Sequence, residues 1–130
     1  MKVIGLDGKQ YNWSLTGNNP STNPSSYHLQ VREMLQKLYP MEYILEELTL
    51  PSTQLRCDFY LPGLKTIVEI HGEEHYKFVP FFHGDKIGFL RAQKRDREKR
   101  EWSKINNIRM VELKYDESDR WREQLCGIKD

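Results

Sequence analysis

The segment from Arg56 to Tyr76, RCDFYLPGLKTIVEIHGEEHY, concentrates side chains that can bind a metal ion or move a proton. Its acidic and imidazole groups are Asp58, Glu69, His71, Glu73, Glu74 and His75. Charged groups at this density within strand-like sequence are costly to bury unless something pairs with them. A metal ion and a phosphate group would do so, and the segment therefore predicts a site for both.

Two apolar-alternating strands joined by a Pro-Gly turn account for most of this segment. If residues 61–64 form the turn, Tyr60 lies opposite Lys65 and Cys57 lies opposite Val68. This register is an expectation that a slip along the strands would change, because every residue of a strand moves with it.

Side chains alternate along a strand, so one face of this pair is expected to carry Asp58, Glu69 and His71. The two carboxylates become diagonal cross-strand neighbours with backbones about 7–8 Å apart, close enough to share one cation. The buried face is expected to consist of Leu55, Cys57, Phe59, Thr66, Val68 and Ile70.

These residue types suit phosphodiester hydrolysis, which needs a cation, an activated water and a base of near-neutral pKa. Carboxylates are the hard oxygen donors that Mg²⁺ takes, so Asp58 and Glu69 are the predicted ligands of Mg²⁺ or Mn²⁺. His71 is placed to move a proton or to hold the scissile phosphate, and His75 could serve similarly if the chain turns back at Gly72.

The net charge of +1 conceals an uneven distribution along the chain. Residues 42–74 contain seven acids against two bases, whereas residues 86–104 contain eight bases against three acids. An acidic pocket beside a cationic helix suits an enzyme that holds a divalent cation and binds a polyanion. The alternative is that the two runs are solvated faces that pair with each other.

Length and composition indicate one globular domain, since 130 residues can bury a core of their own. No apolar run approaches a membrane span, and the first residues lack the layout of a signal peptide. Cys57 and Cys126 have no metal-binding spacing, and a free, buried thiol is expected at Cys57. These features predict a cytoplasmic protein with no membrane partner.

Hydrophobic patterns predict an α/β fold that begins with a β-hairpin over residues 2–15. Its turn is expected at Asp7-Gly8, with positive φ at both positions. A loop rich in turn-forming residues follows at 17–26. A helix is then expected from Ser25 or Ser26 to Tyr39. Its buried stripe should consist of Tyr27, Val31, Met34, Leu35 and Leu38.

The remaining pattern predicts three strands, a long helix, a strand and a short helix. The strands are expected at about 43–50, 55–60, 65–70 and 109–114, and the helices at about 87–106 and 118–125. The long helix has a poor apolar stripe, because Arg91, Lys94 and Glu98 interrupt it. Such a helix lies on the surface or faces a ligand.

This order of elements, with Asp58 in the second strand and Glu69 in the third, resembles the PD-(D/E)XK nuclease superfamily. The segments CDFYLPGLKTIVEIHGEEHY and KRDREKREWSKINNIRMVELKYDE carry the resemblance, which covers about residues 25–115. Cys57 stands where proline often precedes the aspartate, and His71 stands where lysine is usual. A His-Gly step at this place resembles the branch of very-short-patch repair endonucleases and related phage homing endonucleases.

The resemblance implies a restriction-endonuclease-like core (αβββαβ) with a mixed central sheet flanked by helices, added to the N-terminal hairpin. The chain would then be a single nuclease domain over 1–130, with the hairpin at 1–16, the catalytic core at 25–115 and a C-terminal helix within 116–130. The implied function is a Mg²⁺-dependent DNA endonuclease of phage or mobile-element origin. It would act in DNA repair, recombination or homing in the host-cell cytoplasm.

The family also places an acidic residue on the first helix. Glu33 matches by type, but the helical wheel directs it to solvent, whereas His28 lies on the flank of the buried stripe. His28 is therefore the preferred fourth catalytic group, with Glu33 and Glu47 as alternatives. A structural role for His28 at the helix flank is the competing interpretation.

The cationic helix is expected to contact DNA phosphates through Arg91, Lys94, Arg95 and Lys99, which gives affinity without sequence information. The competing interpretation is an ion-pair cluster of Arg95, Asp96 and Lys99. Because His71 replaces the usual lysine, a catalytically inactive DNA-binding module on the same fold is the alternative function. A monomer would nick DNA, whereas a homodimer could cut both strands.

Overall fold

The computed structural model describes residues 1–15 and 24–126. Its strands are β1 (Lys2–Ile4), β2 (Gln10–Asn12), β3 (Leu45–Thr49), β4 (Arg56–Leu61), β5 (Thr66–His71) and β6 (Arg109–Lys114). Its helices are α1 (Ser26–Leu38), α2 (Pro80–His83), α3 (Lys86–Ile105) and α4 (Trp121–Cys126), with short 3₁₀ turns at Pro62–Leu64, Glu73–His75 and Ser118–Arg120. Most of the predicted loop at 17–26, residue 16 of the hairpin segment and residues 127–130 of the C-terminal segment lie outside the described residues.

A mixed four-stranded sheet, in the order β3-β4-β5-β6, positions the site. Strands β3, β4 and β5 pair antiparallel, whereas β5 and β6 pair parallel with α3 as the crossover between them. Strands β1 and β2 form a separate antiparallel hairpin. The α/β class with a mixed sheet and an N-terminal hairpin is thus confirmed.

Within the described ranges, no helix combines the length and the apolar character needed to cross a bilayer.

Both faces of the sheet are covered by apolar clusters. One cluster joins the hairpin, the sheet and α3 through Trp13, Tyr60, Ile67 and Trp102. The other cluster packs α1 and α4 against the sheet, and includes Val31, Leu35, Phe59, Val68, Trp121 and Leu125. Because consecutive strand residues such as Ile67 and Val68 belong to different clusters, the clusters lie on opposite faces. Trp102 and Trp121 are core residues in this arrangement.

The hairpin turn differs from the predicted two-residue type. Only Gly8 of the Asp7-Gly8 pair has positive φ, at 80°, and residues 5–9 form a longer connection. The Asp7 carboxylate accepts hydrogen bonds from the Lys9 amide and the Tyr11 hydroxyl. These hydrogen bonds keep the φ of Asp7 negative, and aspartate side chains often bind nearby groups in this way in turns.

The predicted register of β4 and β5 is wrong by two residues. Tyr60 pairs with Ile67, and Leu61 pairs with Thr66. The reason is the connection: Pro62–Leu64 forms a 3₁₀ turn closed by Lys65 in the left-handed region, at φ 47°. Leu61 therefore stays in the strand. A shift of two residues preserves the side-chain alternation, so it moves no residue to the other face.

The predicted buried face of β4 is also wrong in part. Leu55 and Cys57 belong to the hairpin-side cluster, whereas Phe59 belongs to the cluster beneath α1. The alternation breaks at Asp58, opposite Glu47, whose φ of 57° is left-handed. The ladder pairs on either side of this position are regular. The sheet is therefore irregular where Glu47 faces Asp58.

Helix α1 begins as predicted, with Ser25 as its N-cap, which accepts a hydrogen bond from the His28 amide at 3.1 Å. Its inward stripe differs from the prediction at the first turn. Tyr27 is 39% exposed, and His28 is buried in its place, while Val31 and Leu35 are fully buried. The buried stripe is thus rotated toward His28, which faces the sheet.

Helix α3 confirms the expectation of a poor apolar stripe. Ile87 and Leu90 are exposed, and Trp102 is its one large buried apolar side chain among the described residues. Asp96 is buried in the middle of the helix. A helix that buries an aspartate and exposes isoleucine and leucine packs a polar face toward the sheet, so this face belongs to the candidate site.

Candidate active site

The candidate site opens where β4 and β5 separate. Their ladder ends at the pair Phe59–Val68. Beyond it the Asp58 amide donates to Oε2 of Glu69 at 2.7 Å, and Oδ2 of Asp58 accepts from the Ile70 amide at 2.8 Å. Both predicted carboxylates thus serve as acceptors that hold the strands to each other. The predicted shared face is wrong, however: Glu69 and His71 lie on the α3 side of the sheet with Ile67, whereas Asp58 lies beside His28 of α1, because the alternation breaks at Asp58.

Glu69 is nearly enclosed, at 1% exposure. Its second oxygen, Oε1, accepts from Nζ of Lys99 on α3 at 2.7 Å. Burial and then the charge of Asp58 raise the pKa of Glu69 to about 7, against the opposing charge of Lys99. Burial lowers the pKa of Lys99, but Glu69 outweighs it, so the pKa of Lys99 is raised. Glu69 is therefore an unusually basic carboxylate.

Asp58 also meets a second group of candidate ligands. One donor atom each from His28, Glu47 and Asp58 lies within 4.8 Å of the others. Three elements supply them, namely α1, β3 and β4. Two carboxylates and one imidazole nitrogen form a donor set that fits a divalent cation. Mg²⁺ would bind the carboxylate oxygens, and Mn²⁺ would bind the oxygens and the imidazole nitrogen. Glu47, an alternative in the sequence prediction, thus lies at the site.

His28 is held by a buried charged pair. Its Nε2 lies 2.6 Å from Oε1 of Glu46, and the Arg32 guanidinium binds both oxygens of Glu46 at 2.8 Å. The imidazole also stacks on Phe59, with ring centroids 4.4 Å apart. A carboxylate bound to one nitrogen of a histidine orients its ring and fixes its tautomer, as around many metal ions. Sequence reasoning did not identify Glu46 or Arg32, although the four-residue spacing of His28 and Arg32 places both on one helix face.

A cleft of about 460 Å³ adjoins this group of ligands. It lies at the N-terminal end of α1, and His28 and Asp58 line it together with Tyr27 and Tyr115. The remaining lining residues are Ser25, Ser26, Ile70, Gly72 and Glu73. The helix carries no acid in its first turn, so its N-terminus favours an anion there.

His71 and His75 form a second group on the α3 side of Glu69. Their rings stack in parallel with centroids 4.1 Å apart, and Nδ1 of His75 lies 2.8 Å from Oδ2 of Asp96. His71 is 1% exposed, and neither of its ring nitrogens has a hydrogen-bond partner within residues 1–15 and 24–126. Oε2 of Glu112 lies 3.5 Å from Nδ1 of His71.

The electrostatics of this pair suit proton transfer. Burial, followed by the charge of His75, lowers the pKa of His71. Burial raises the pKa of Asp96, but the hydrogen bond from His75 and the charges around it outweigh that effect, so the pKa of Asp96 is lowered. A buried, neutral imidazole beside one paired with an ionised carboxylate is an arrangement found in general acid–base sites.

Glu33, an alternative in the sequence prediction, and His83, which was not predicted as a site residue, both lie outside the two groups of ligands. Glu33 is exposed and lines a separate cleft with Lys37 and Arg122, so its side chain faces away from Asp58. His83 accepts a hydrogen bond from the Val79 amide through Nδ1 at 2.9 Å, a local role within the α2 turn. The helical wheel had correctly directed Glu33 to solvent.

The predicted DNA contacts divide into two sets. Arg91, Lys94 and Arg95 are exposed on α3. Arg95 also lines a cleft of about 400 Å³ together with His75 and Lys99. Lys99 itself turns inward to Glu69. Lys94 also pairs with Glu98 at 3.9 Å along the same helix.

Asp96 and Glu112 are site residues that sequence reasoning did not assign to catalysis. Asp96 was considered only as part of an ion-pair cluster on its helix. Glu112 lies on β6, directly beside Glu69 in the parallel ladder, and forms an ion pair with Arg100. Glu112 could not be identified from the sequence, because its place beside Glu69 depends on the order of the strands. Asp96 could have been identified, because an aspartate among the cations of the long helix is a signal for a buried ion pair.

The chain is similar to several viral proteins. Over 65 residues it is 43% identical to uncharacterized protein 307L of Invertebrate iridescent virus 6. These residues make up 50% of this chain and 33% of 307L. Over 105 residues it is 29% identical to uncharacterized protein 033L of Invertebrate iridescent virus 3, covering 77% of this chain and 54% of 033L. A third relative, uncharacterized protein 094L of Frog virus 3 (isolate Goorha), is 33% identical over 66 residues. This match covers 50% of this chain and 43% of 094L.

The chain therefore spans about half or less of the length of these relatives. No family model matches it, and no solved structure matches it.

Proposed function

We propose that this chain is a metal-dependent DNA endonuclease with a restriction-endonuclease-like core of the PD-(D/E)XK type. The observation that supports this most is the position of Asp58, which contacts the Glu69 side chain on one side and lies beside His28 and Glu47 on the other. Asp58, Glu47 and His28 would hold Mg²⁺ or Mn²⁺. The cation would neutralise charge on the phosphate and lower the pKa of its water.

The chain's own groups supply the rest of the chemistry. Asp96 orients the His75 ring and stabilises its protonated form. His75 stacks on His71, and this imidazole pair accepts the proton of the attacking water and returns a proton to the leaving oxygen. The exposed Arg91, Lys94 and Arg95 bind the phosphate backbone, and the salt dependence of binding follows from them.

The biological role that fits best is DNA processing encoded by a virus or a mobile element. The viral relatives are consistent with such an origin. Repair, recombination or homing in the host-cell cytoplasm are the processes in which a small nuclease of this kind would act. The resemblance to repair and homing endonucleases through the His71-Gly72 step supports this assignment.

Plasmid cleavage by Asp58→Asn tests the proposal. Asparagine keeps the acceptor for the Ile70 amide but removes the charge needed to hold a cation. Wild-type protein should convert supercoiled plasmid to nicked or linear DNA with Mg²⁺ or Mn²⁺, and Asp58→Asn should be slower by at least about 100-fold. Glu123→Gln, an exposed change on α4, is the matched control and should cleave normally.

A DNA-binding module without catalysis is the second candidate function. One observation favours it: both oxygens of Glu69 already have partners, Lys99 and the Asp58 amide. If wild-type protein binds a labelled DNA duplex but leaves plasmid supercoiled with either cation, the enzyme proposal fails and this function replaces it.

A further inference from the structure

Lys99 lies within the candidate site and not on the outer surface of α3. Its side chain is 17% exposed, whereas the side chain of Lys94 on the same helix is 70% exposed. Its Nζ donates to Oε1 of Glu69 at 2.7 Å. The charge of Lys99 is therefore directed at the carboxylates between the strands, while that of Lys94 lies on the exposed surface of α3 beside Glu98, 3.9 Å away.

The acids around Lys99 connect the two groups of ligands. The charges that act on it are those of Glu69, then Asp58, then Asp96. Glu69 and Asp58 belong to the opening between β4 and β5, and Asp96 belongs to the histidine pair. Lys99 thus lies at the junction of the carboxylates and the imidazoles.

The strand that carries Glu69 does not supply this charge. Strand β5 reads TIVEIH and contains no lysine or arginine. His71 and His75 are cations only when they are protonated, whereas a lysine keeps its charge at neutral pH. The fixed positive charge next to Glu69 therefore comes from α3.

We propose that Lys99 is a catalytic residue whose ammonium group contacts the scissile phosphate when DNA is bound, an inference that rests on the proposed nuclease function. Charge on the phosphate oxygens must be stabilised during hydrolysis. An ammonium group already oriented in a partly buried site stabilises such charge more than one in water, because the local dielectric is lower. Lys99 therefore acts on turnover, and the exposed cations of α3 act on affinity.

The competing explanation is a structural ion pair that only stabilises the fold. Removal of Lys99 would leave Glu69 buried without a cation, which is destabilising whatever the function. Stability alone therefore does not distinguish the two explanations. The distinction requires the turnover number under saturating DNA, the affinity for DNA, and the melting temperature of the same variants.

Four lysine variants make this comparison. Lys99→Met removes the charge, Lys99→Arg keeps the ion pair but displaces the charge, Lys94→Met removes an exposed cation, and Lys37→Met is the matched control on α1. Cleavage of supercoiled plasmid with Mn²⁺ gives kcat, and titration of a labelled DNA duplex without divalent cation gives Kd. Circular dichroism melting reports folding.

Lys99→Met should lower kcat by at least about 100-fold with little change in Kd. Lys99→Arg should keep the melting temperature of the wild type and still lower kcat by about tenfold, so the test stands even where Lys99→Met unfolds. Lys94→Met should instead weaken DNA binding with kcat kept, and Lys37→Met should match the wild type.

The outcomes separate this inference from the proposed function. If wild-type protein cleaves and Lys99→Met, folded at the assay temperature, retains the full kcat, Lys99 is structural and the inference is overturned while the nuclease function stands; where Lys99→Met unfolds, Lys99→Gln takes its place in this comparison. A rise in Kd with unchanged kcat for both Lys99 variants would also overturn it, because Lys99 would then contact the DNA backbone. If wild-type protein cleaves no DNA with Mg²⁺ or Mn²⁺, the proposed function and this inference both fail.

Discussion

At the scale of single residues, the site consists of buried charges that neutralise one another. Glu46 lies between His28 and Arg32, and Glu69 lies between Lys99 and the Asp58 amide. A buried charged pair is expensive to form, and it is costly to break because one charge is left without a partner. Such pairs are retained here at the points where the candidate ligands are positioned.

The raised pKa of Glu69 predicts a specific pH dependence of stability. The group titrates near 4.5 when unfolded and near 7 when folded, so the folded state holds an extra proton between these values. Its contribution to the free energy of unfolding is therefore largest below about pH 4.5 and is lost as the pH rises through about 7. Glu69→Gln cannot titrate and should lack this loss.

Urea unfolding of wild type and Glu69→Gln at about pH 5 and about pH 8 measures this effect. The stability of the wild type relative to the variant should fall between the two pH values. Comparison of the two proteins cancels the titration of groups such as His71 and Asp96, which both share. A difference that does not change with pH would contradict the assigned pKa.

At the scale of elements, the site depends on one irregular pair of strands and on two helices. The positive φ of Glu47 and the broken alternation at Asp58 direct acids from β3 and β4 toward His28 on α1. Strained backbone of this kind persists where the surrounding structure supports it, often at functional sites. Helix α3 supplies Asp96 and Lys99 from the opposite side.

Removal of the N-cap of α1 should lower the free energy of unfolding by a measurable amount. Ser25 accepts the His28 amide, so Ser25→Ala should lower the free energy of unfolding by about 1 kcal/mol. Ser26→Ala, at the next position, removes only an exposed side-chain contact with Gln30 and should cost less than about 0.5 kcal/mol. Chemical denaturation of both variants makes the comparison. Equal losses would show that the cap does not stabilise the helix.

At the scale of the whole molecule, the N-terminal hairpin is part of the core. Trp13 packs against Trp102 of α3 at 5.1 Å and against Tyr60 of β4 at 4.6 Å between ring centroids. The Asn106 side chain also bonds both backbone groups of Ile4. The hairpin therefore anchors α3, which carries Asp96 and Lys99, against the sheet.

Trp13→Ala should therefore destabilise the whole protein and not only its first fifteen residues. A loss of about 3–5 kcal/mol is expected for removal of a large buried aromatic side chain. Tyr43→Ala, at a position 82% exposed, is the matched control and should change stability by less than about 0.5 kcal/mol. Thermal unfolding followed by near-ultraviolet circular dichroism tests both. A single transition lowered only for Trp13→Ala is the expected result.

The sequence by itself determined the elements and the residue types of the site. Hydrophobic periodicity, the Ser25 cap and the Pro-Gly turn identified helices and strands to within a few residues, because these signals are local. It also favoured His28 over Glu33, since that conclusion needs only a helical wheel, and it placed Asp58 near Glu69, although the alternation it relied on breaks at Asp58.

Only the tertiary structure decided how these residues are grouped. The two-residue register shift arose from the left-handed Lys65, and the break in alternation arose between Glu47 and Asp58, where packing on both faces overrides the local pattern. The contacts between Asp96 and His75 and between Lys99 and Glu69 join segments 21 and 30 residues apart. Periodicity cannot encode such contacts, because they depend on how α3 crosses the sheet.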